Sequence, residues 1–254
     1  AQERKNNVLD KFNTTNENNN LIDYLNSFND DYFNKNSTDV LLWQSELLTK
    51  AHYKDFIIGC RKKFDNLIEI FIKVKNMDGL FYKLSKVLEH SGLEVIDASI
   101  FTSNDSDIAA NTFITRYIHH DRSLTKNELE ELSERINKNF IDYERISKLP
   151  EKKQKKQNFV KMIEITHSIN EVQHRNMITI ETANSIGLLA KIAKVFYENK
   201  ISIFCARINT LGERVEDTFE ITNEDNTIIS EVKIKRIIKS LEMVVWITPF
   251  NSII

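Results

Sequence analysis

The sequence predicts an α+β chain in which one β-α-β-β-α-β unit, the ferredoxin-like arrangement, occurs twice behind a helical segment. Three observations carry that reading. The chain repeats itself at an offset of 108 residues: with Gly187 set on Gly79, Leu188 falls on Leu80, Lys191 on Lys83, Lys194 on Lys86, Val195 on Val87, Ala206 on Ala98, Ile208 on Ile100 and Thr210 on Thr102. After a small difference in length, Asp217-Thr218-Phe219 meets Asn111-Thr112-Phe113. Each copy passes from period-two apolar alternation through a Gly-Leu turn into a 3.6-period stripe and then into two β-rich runs. The residues before the first copy carry only helical stripes.

The first copy justifies its elements one by one. Ile68, Ile70, Ile72 and Val74 alternate with Glu69, Phe71 and Lys73, the pattern of a strand with one strongly apolar face. Leu80, Leu84, Val87 and Leu88 then recur at helical spacing opposite Lys83, Lys86 and Glu89, and Gly92 supplies a residue that enters the left-handed region cheaply at the helix end. Val95 to Phe101 and Thr112 to Ile118 read as a hairpin across the polar turn Ser103-Asn104-Asp105-Ser106-Asp107. Thr125 followed by Glu128 makes a capping box for a second helix that buries Leu129, Leu132, Ile136 and Phe140. A fourth strand near Lys161 to Ile169 is expected to close this sheet. In the second copy Val232, Ile234, Ile237, Ile238 and Leu241 make the last helix, with Met243 to Thr248 as its closing strand. The two copies are expected to pack on each other, or on those of a second chain, because an isolated four-stranded sheet leaves an edge exposed.

Ahead of the repeats, Leu21, Ile22, Leu25 and Phe28 form one helical stripe and Val40, Leu41, Trp43, Leu47 and Leu48 another, so residues 1–64 read as a helical linker, 65–170 as the first domain and 171–254 as the second. Eleven asparagines in the first 50 residues, clustered at Asn13 to Asn20, mark a loop between helices. Ala1 opens directly into charged, helix-compatible sequence, which is read as the start of a fragment that follows an upstream domain. The run Glu151-Lys152-Lys153-Gln154-Lys155-Lys156-Gln157 has no interleaved aromatics and reads as a solvated linker rather than an anion patch.

At 254 residues, 41% hydrophobic and 28% charged with a net charge of −2, the chain has the composition of a soluble globular protein with no general attraction to nucleic acid or an anionic membrane. No apolar run approaches the length of a membrane span. Two cysteines, Cys60 and Cys205, exclude a disulfide framework and point to the cytoplasm.

No complete active site is legible. Asp105 and Asp107 resemble half of a Mg²⁺ site, but the phosphate loop and the third carboxylate such a site needs are missing, so they are read as a hairpin turn. His120-Asp121, next to His119, is a lone dipeptide where a hydrolytic metal centre needs several converging histidines, and it too reads as a turn. His167 and His174 have no cysteine nearby and read as surface or partly buried side chains. Cys205 beside Ala206 in mid-strand reads as packing. Gly79 and Gly187 each stand alone where a dinucleotide fingerprint needs three glycines.

A lone glycine at the mouth of a helix has two readings that the residues leave open. It can simply permit a tight strand-to-helix turn, or it can let a small ligand reach helix N–H groups whose dipole favours a carboxylate. An α-amino acid carries that carboxylate, and Asn76, Asp78 and Asn184 offer acceptors for its ammonium group.

Both repeats resemble ACT domains, regulatory modules whose first strand usually runs into a D-R-P-G-L turn. Here the turn is Asn76-Met77-Asp78-Gly79-Leu80 and Asn184-Ser185-Ile186-Gly187-Leu188, which keep glycine and leucine but not aspartate and proline. Leu188 to Phe219, with Thr210 to Phe219 inside it, is similar to the last ACT domain of the bacterial PII uridylyltransferase/uridylyl-removing enzymes, and Asn29-Asp30-Asp31-Tyr32-Phe33 followed by Trp43 is similar to the linker before their ACT pair. The resemblance implies a glutamine-sensing region. It also implies upstream catalytic domains that use Mg²⁺ to add UMP to, and remove it from, the signal protein PII, with no catalytic residue or cofactor in this chain. It places ligand contacts at the ten turn residues and at Asp97, Ala98, Cys205 and Ala206 on the second strands, and it gives no role for the Gly212 to Asp217 loop. A free-standing double-ACT amino-acid regulator is disfavoured by the linker similarity, while a ligand-free interaction module stays open.

Overall fold

The computed structural model describes residues 1–12, 18–105, 107–118, 122–148, 163–183, 185, 187–211 and 214–246. The connector is helical: α1 (Gln2–Phe12), α2 (Asn18–Asn26), α3 (Asp30–Lys35) and α4 (Thr38–Lys50). Asn29 caps α3 by accepting from the Asp31 N–H at 3.1 Å, and Ser37 caps α4 by accepting from the Val40 N–H at 3.3 Å. The helical stretch stops there. Ile57–Phe64 is a strand, β1, where the linker reading expected helix to residue 64.

β1 forms a hairpin with β2 (Leu67–Lys75), followed by α5 (Leu80–His90), β3 (Leu93–Thr102), β4 (Ile108–Tyr117), α6 (Lys126–Ile141) and the short α7 (Tyr143–Ile146). The second repeat copies this order with β5 (Glu164–Asn170), β6 (Arg175–Ala183), α8 (Leu188–Glu198), β7 (Ile201–Leu211), β8 (Arg214–Asn223) and α9 (Glu231–Trp246). The strands form one sheet in the order β1-β2-β4-β3-β7-β8-β6-β5, antiparallel at every junction. Each half has the spatial order of a ferredoxin-like sheet.

The connectivity corrects one expectation. The strand near Lys161 to Ile169 does not close the first sheet; β5 pairs with β6, from Glu164↔Glu181 to Asn170↔Arg175. The outer position beside β2 is filled by β1, so in both repeats the edge strand comes from the N-terminal side and pairs by a hairpin. A hairpin reaches that edge with only a short turn. Nor do the described residues of Met243 to Thr248 form the expected strand: residues 243–246 continue α9, and 247–248 lie outside the described residues.

Local signals hold where they were read. Gly92 takes φ +83 at the end of α5, and Thr125 and Glu128 form a reciprocal capping box at α6. Leu132, Ile136 and Phe140 are buried, as are Ile234, Ile237 and Leu241 of α9, although Val232 faces solvent. The polar turn of the β3–β4 hairpin is an Asx turn. The Asp105 carboxylate accepts from the Ser103 hydroxyl and from the Asp107 N–H, the bonds of a polar hairpin turn.

The two halves differ in how their sheets are covered. Along β6 only alternate residues are buried, as an open-faced strand requires, but β2 is buried on both faces because the connector packs on its reverse side. Phe71, Phe101 and Ala110 join a second core with Leu21, Leu25, Phe28, Tyr32, Phe33, Leu41 and Leu48. Glu69 is only 2% exposed there, and Arg61 and Lys63 satisfy it at 2.6 and 2.9 Å. Gln44 bridges the layers, receiving the Tyr32 hydroxyl and donating to Thr112 Oγ1 at 2.9 Å.

The repeats meet edge to edge. Ala98 of β3 pairs with Ala206 of β7, and these residues are equivalent under the 108-residue offset, so a pseudo-two-fold axis passes between them. α5 and α8 pack against each other above this seam, as the exposed-edge argument expected.

Candidate functional site

Both glycine turns lie beside the seam, and symmetry crosses them. Gly79 takes φ +68 and Gly187 φ +77, each immediately before its helix. A Cβ on Gly79 would come within 2.7 Å of the Tyr197 ring, while a Cβ on Gly187 would meet the two carboxylate oxygens of Glu89 at 3.1 and 3.3 Å. Residues 89 and 197 are themselves offset by 108. Each turn therefore faces the end of the other repeat's helix, and the facing residue is aromatic in one case and anionic in the other.

Around the first turn lies a cleft of about 530 Å³, within the roughly 300–1,000 Å³ range of small-molecule sites. Asn76, Met77, Asp78, Gly79 and Leu80 all line it, with Tyr197 of α8 and Tyr82 of α5 stacked at 6.4 Å forming one wall. Asn111 lies among the lining residues: it is 1% exposed, its side-chain N–H₂ donates to the Ile72 carbonyl at 3.3 Å, and its Oδ1 has no hydrogen-bond partner. At the start of α5, Leu80 N–H bonds to the Met77 carbonyl and Lys83 N–H to the Gly79 carbonyl. The intervening Phe81 and Tyr82 N–H groups belong to the helical turn that has no intrahelical acceptor. The cleft thus combines donors for a carboxylate with a buried acceptor for an N–H group.

The cleft mouth is shared with the connector. Asn29, the cap of α3, lines it, as do Gln173, His174 and Arg175 at the β5–β6 turn. Arg175 bonds to Asp31 at 3.2 Å and to Glu220 at 3.3 Å, stacks over Phe204 at 4.1 Å, and has Gln173 beside it, which donates to Asp31 at 3.1 Å. Lys35 adds a bond to Glu220 at 3.1 Å, and Asn104 N–H donates to the Ser27 carbonyl at 2.7 Å. One cleft touches both repeats and the helix that precedes them.

The second turn is differently furnished. Ser185 and Leu188 flank Gly187, while Asn184 and Ile186 lie outside the described residues. Asp217, the counterpart of Asn111, is 2% exposed; burial pushes its carboxyl up to about 7 against a stabilising bond from the Asn209 N–H, and its Oδ1 is unpartnered. Thr182 Oγ1 and Glu89 Oε2 are also buried without a hydrogen-bond partner.

The other expected contacts are not gathered at the cleft. Ala98 and Ala206 form the seam itself, exposed Asp97 lies beside them, and none of the three lines the cleft. Cys205 also lies off it, and burial pushes its thiol up against the opposing pull of the Lys35 ammonium. His167 bonds to Asn176 at 3.0 Å, whereas His174 lines the cleft. His119, His120, Asp121, Gly212 and Glu213 lie outside the described residues. Among the described residues no group of three or more His, Cys, Asp or Glu is arranged to hold a metal ion, and no helix is long and apolar enough to cross a membrane.

Sequence reasoning missed Asn111, Tyr197 and Arg175. The repeat alignment already paired Asn111 with Asp217, a polar residue at the same buried position of both copies, and that was the available signal. Tyr197 and Arg175 reach the cleft from the other repeat, which no pattern within one copy reveals.

No family model matches the chain. Over 82% of its length it is 28% identical to a bifunctional uridylyltransferase/uridylyl-removing enzyme of a Psychrobacter species, and over 81% it is 29% identical to the enzyme of that name from Acinetobacter baumannii. The matched region is the C-terminal part of those enzymes, and the chain spans about a quarter of their length, 24% in each case. A solved structure of a Galdieria sulphuraria protein aligns with 71% of this chain and 92% of that one at 12% identity, but its TM-score of 0.24 carries no weight; the tandem ferredoxin-like fold rests on strand order and register.

Proposed function

We propose that this chain is the amino-acid-sensing regulatory region of an enzyme that adds UMP to the signal protein PII and removes it, and that L-glutamine binds in the Gly79 cleft. The similarity to uridylyltransferase/uridylyl-removing enzymes supports the parentage. Catalysis, Mg²⁺ and contact with PII then belong to upstream domains, and the setting is the cytoplasm. The observation that carries ligand binding is the buried, unpartnered Oδ1 of Asn111 in a cleft that also holds the start of α5.

Glutamine's carboxylate is placed at the first-turn N–H groups of α5, where the helix dipole favours it, and an N–H donor of the ligand is directed at Asn111 Oδ1. Signal transmission follows from the cleft's composition. Ordering a ligand between Gly79, Tyr197 and Asn29 changes the restraint on α3, which Asp31 and Lys35 already tie to the second repeat. A differential affinity of about 1–3 kcal/mol between two arrangements of the connector would change the balance of a parent enzyme roughly 5- to 150-fold.

Calorimetry with L-glutamine tests the reading. The expected result is saturable binding that Asn111→Leu weakens by roughly ten-fold, about 1.4 kcal/mol. Absence of heat at millimolar ligand, or full retention of binding by Asn111→Leu and Gly79→Val together, overturns it.

A further inference from the structure

The Gly187 side of the seam is chemically unlike the Gly79 side, and its difference points to a second ligand class. The pseudo-two-fold exchanges Gly79, Asn111 and Tyr197 with Gly187, Asp217 and Glu89. The first three line one cleft, the second three are their counterparts across the axis, and Glu89 lies 3.1 Å from the Cβ direction of Gly187 as Tyr197 lies against Gly79. Thr182 joins them. β6 pairs Ile180 with Asp217 and Thr182 with Val215, which sets Thr182 and Asp217 next to each other on the same face of the sheet.

Glu89 Oε2, Thr182 Oγ1 and Asp217 Oδ1 are three buried oxygens without a hydrogen-bond partner. Buried acceptors of this kind are normally satisfied, and three in one region call for a donor. Lys86 Nζ is the cation recorded beside Glu89, yet it stays 3.7 Å from Oε2 and sits three residues back on the same helix. Two carboxyl groups repel a carboxylate ligand, so this side is not a second copy of the first cleft. Ca²⁺ would need six or more oxygen ligands. A primary ammonium group brings a positive charge and three N–H donors, one for each orphaned oxygen.

We propose that Glu89, Asp217 and Thr182 form a binding site for a primary ammonium group, carried by a small aliphatic amine or by the side chain of a basic amino acid. The site is independent of the glutamine reading. It gives the chain two inputs, a zwitterion at the first turn and a cation at the second.

The probe is methylammonium chloride, titrated against the intact chain at constant ionic strength and followed by amide NMR shifts, with tetramethylammonium chloride as a control that has the charge but no N–H donor. Methylammonium is expected to give a saturable shift at Gly187 and Thr182, and tetramethylammonium none. Asp217→Asn and Glu89→Gln should each weaken binding by roughly ten-fold or more. Asparagine already occupies the equivalent buried position in the first repeat, so Asp217→Asn is compatible with the fold. Equal shifts from both cations, no saturation well above millimolar concentration, or binding that survives both substitutions overturns the proposal. A glutamine titration of the same sample reads the first cleft separately, so loss of one result leaves the other standing.

Discussion

The two glycine turns share a backbone and differ in what the opposite repeat lays across them. φ is +68 at Gly79 and +77 at Gly187, both helices are eleven residues long, and both start on a buried leucine. Yet one turn faces a tyrosine ring and the other a glutamate, and the buried strand position equivalent in the two repeats is Asn111 in the first and Asp217 in the second. The repeat kept the backbone of the turn, while the residues laid against it from across the seam, Tyr197 and Glu89, differ in chemistry. The surroundings of each turn are therefore set by residues of both repeats: Asn111 and Tyr197 line the cleft at the first, and the Glu89 carboxylate lies against the second.

The largest test of this contrast is the buried pair Asn111 and Asp217. A carboxyl whose folded value is about 7 against an ordinary 3.8 penalises the folded state by at most about 4 kcal/mol. The folded pKa is raised, so the native state binds the extra proton. The penalty is absent below the ordinary value, grows between it and about 7, and is full above. Asp217→Asn should accordingly raise stability by roughly 2–4 kcal/mol at pH 8 and change it little at pH 4. Denaturant titrations at the two pH values decide it, and Asn111→Asp should show the opposite sign. A pH-independent effect of Asp217→Asn would mean that the carboxyl does not titrate in the folded protein as its burial demands.

How much of this was legible in the sequence follows the same division. Everything local could be read: the repeat itself, the helix starting at Gly79, the capping box at Thr125, the left-handed end at Gly92 and the Asx turn at Asp105. Glu69 and Lys73 were read as the polar face of an open strand because alternation records only that residues differ. Burial by the connector, with Arg61 closing on Glu69, is a tertiary fact. The edge strands were misplaced for a related reason. Ile57–Phe64 was read as the end of the helical linker, and Glu164–Asn170 was given to the first sheet because alternation does not say which neighbour a strand joins. At the cleft, the residues of the first turn had been named, whereas Asn111 of the same repeat and Tyr197 and Arg175 of the other had not.

Smaller effects are expected from the glycines themselves. An L residue in the left-handed region costs about 1–2 kcal/mol, and this applies equally to Gly79→Ala and Gly187→Ala. The contacts then separate them. At Gly79 the new methyl meets a tyrosine ring at 2.7 Å, whereas at Gly187 it meets the end of a glutamate at 3.1 Å, a flexible group that yields more easily. Gly79→Ala should be the more destabilising of the two by several tenths of a kcal/mol up to about 1 kcal/mol, and it should weaken glutamine binding while Gly187→Ala leaves it within roughly two-fold. Thermal melts with and without glutamine measure both quantities. Equal losses of binding would place the ligand at both turns and erase the contrast.

The finest test converts one turn into the other. Tyr197→Glu puts at the Gly79 turn the group that Glu89 supplies at the Gly187 turn, and a resident carboxylate there competes with a ligand carboxylate for the same helix start. Position 197 is about half exposed, at 48%, so water screens the repulsion, and a value near 1 kcal/mol, about five-fold in affinity, is expected rather than the several kcal/mol of a dry pair. Two controls separate charge from shape. Tyr197→Gln removes the ring without adding charge, and concentrated salt weakens a repulsion between partly exposed groups without restoring a lost ring. Glutamine affinity that falls with Tyr197→Glu, falls less with Tyr197→Gln, and recovers in salt for the glutamate variant alone establishes that charge at residue 197 selects the ligand. If Tyr197→Gln instead costs as much as Tyr197→Glu at every salt concentration, the ring contact with the turn is what the ligand needs, and the difference between the turns is one of shape.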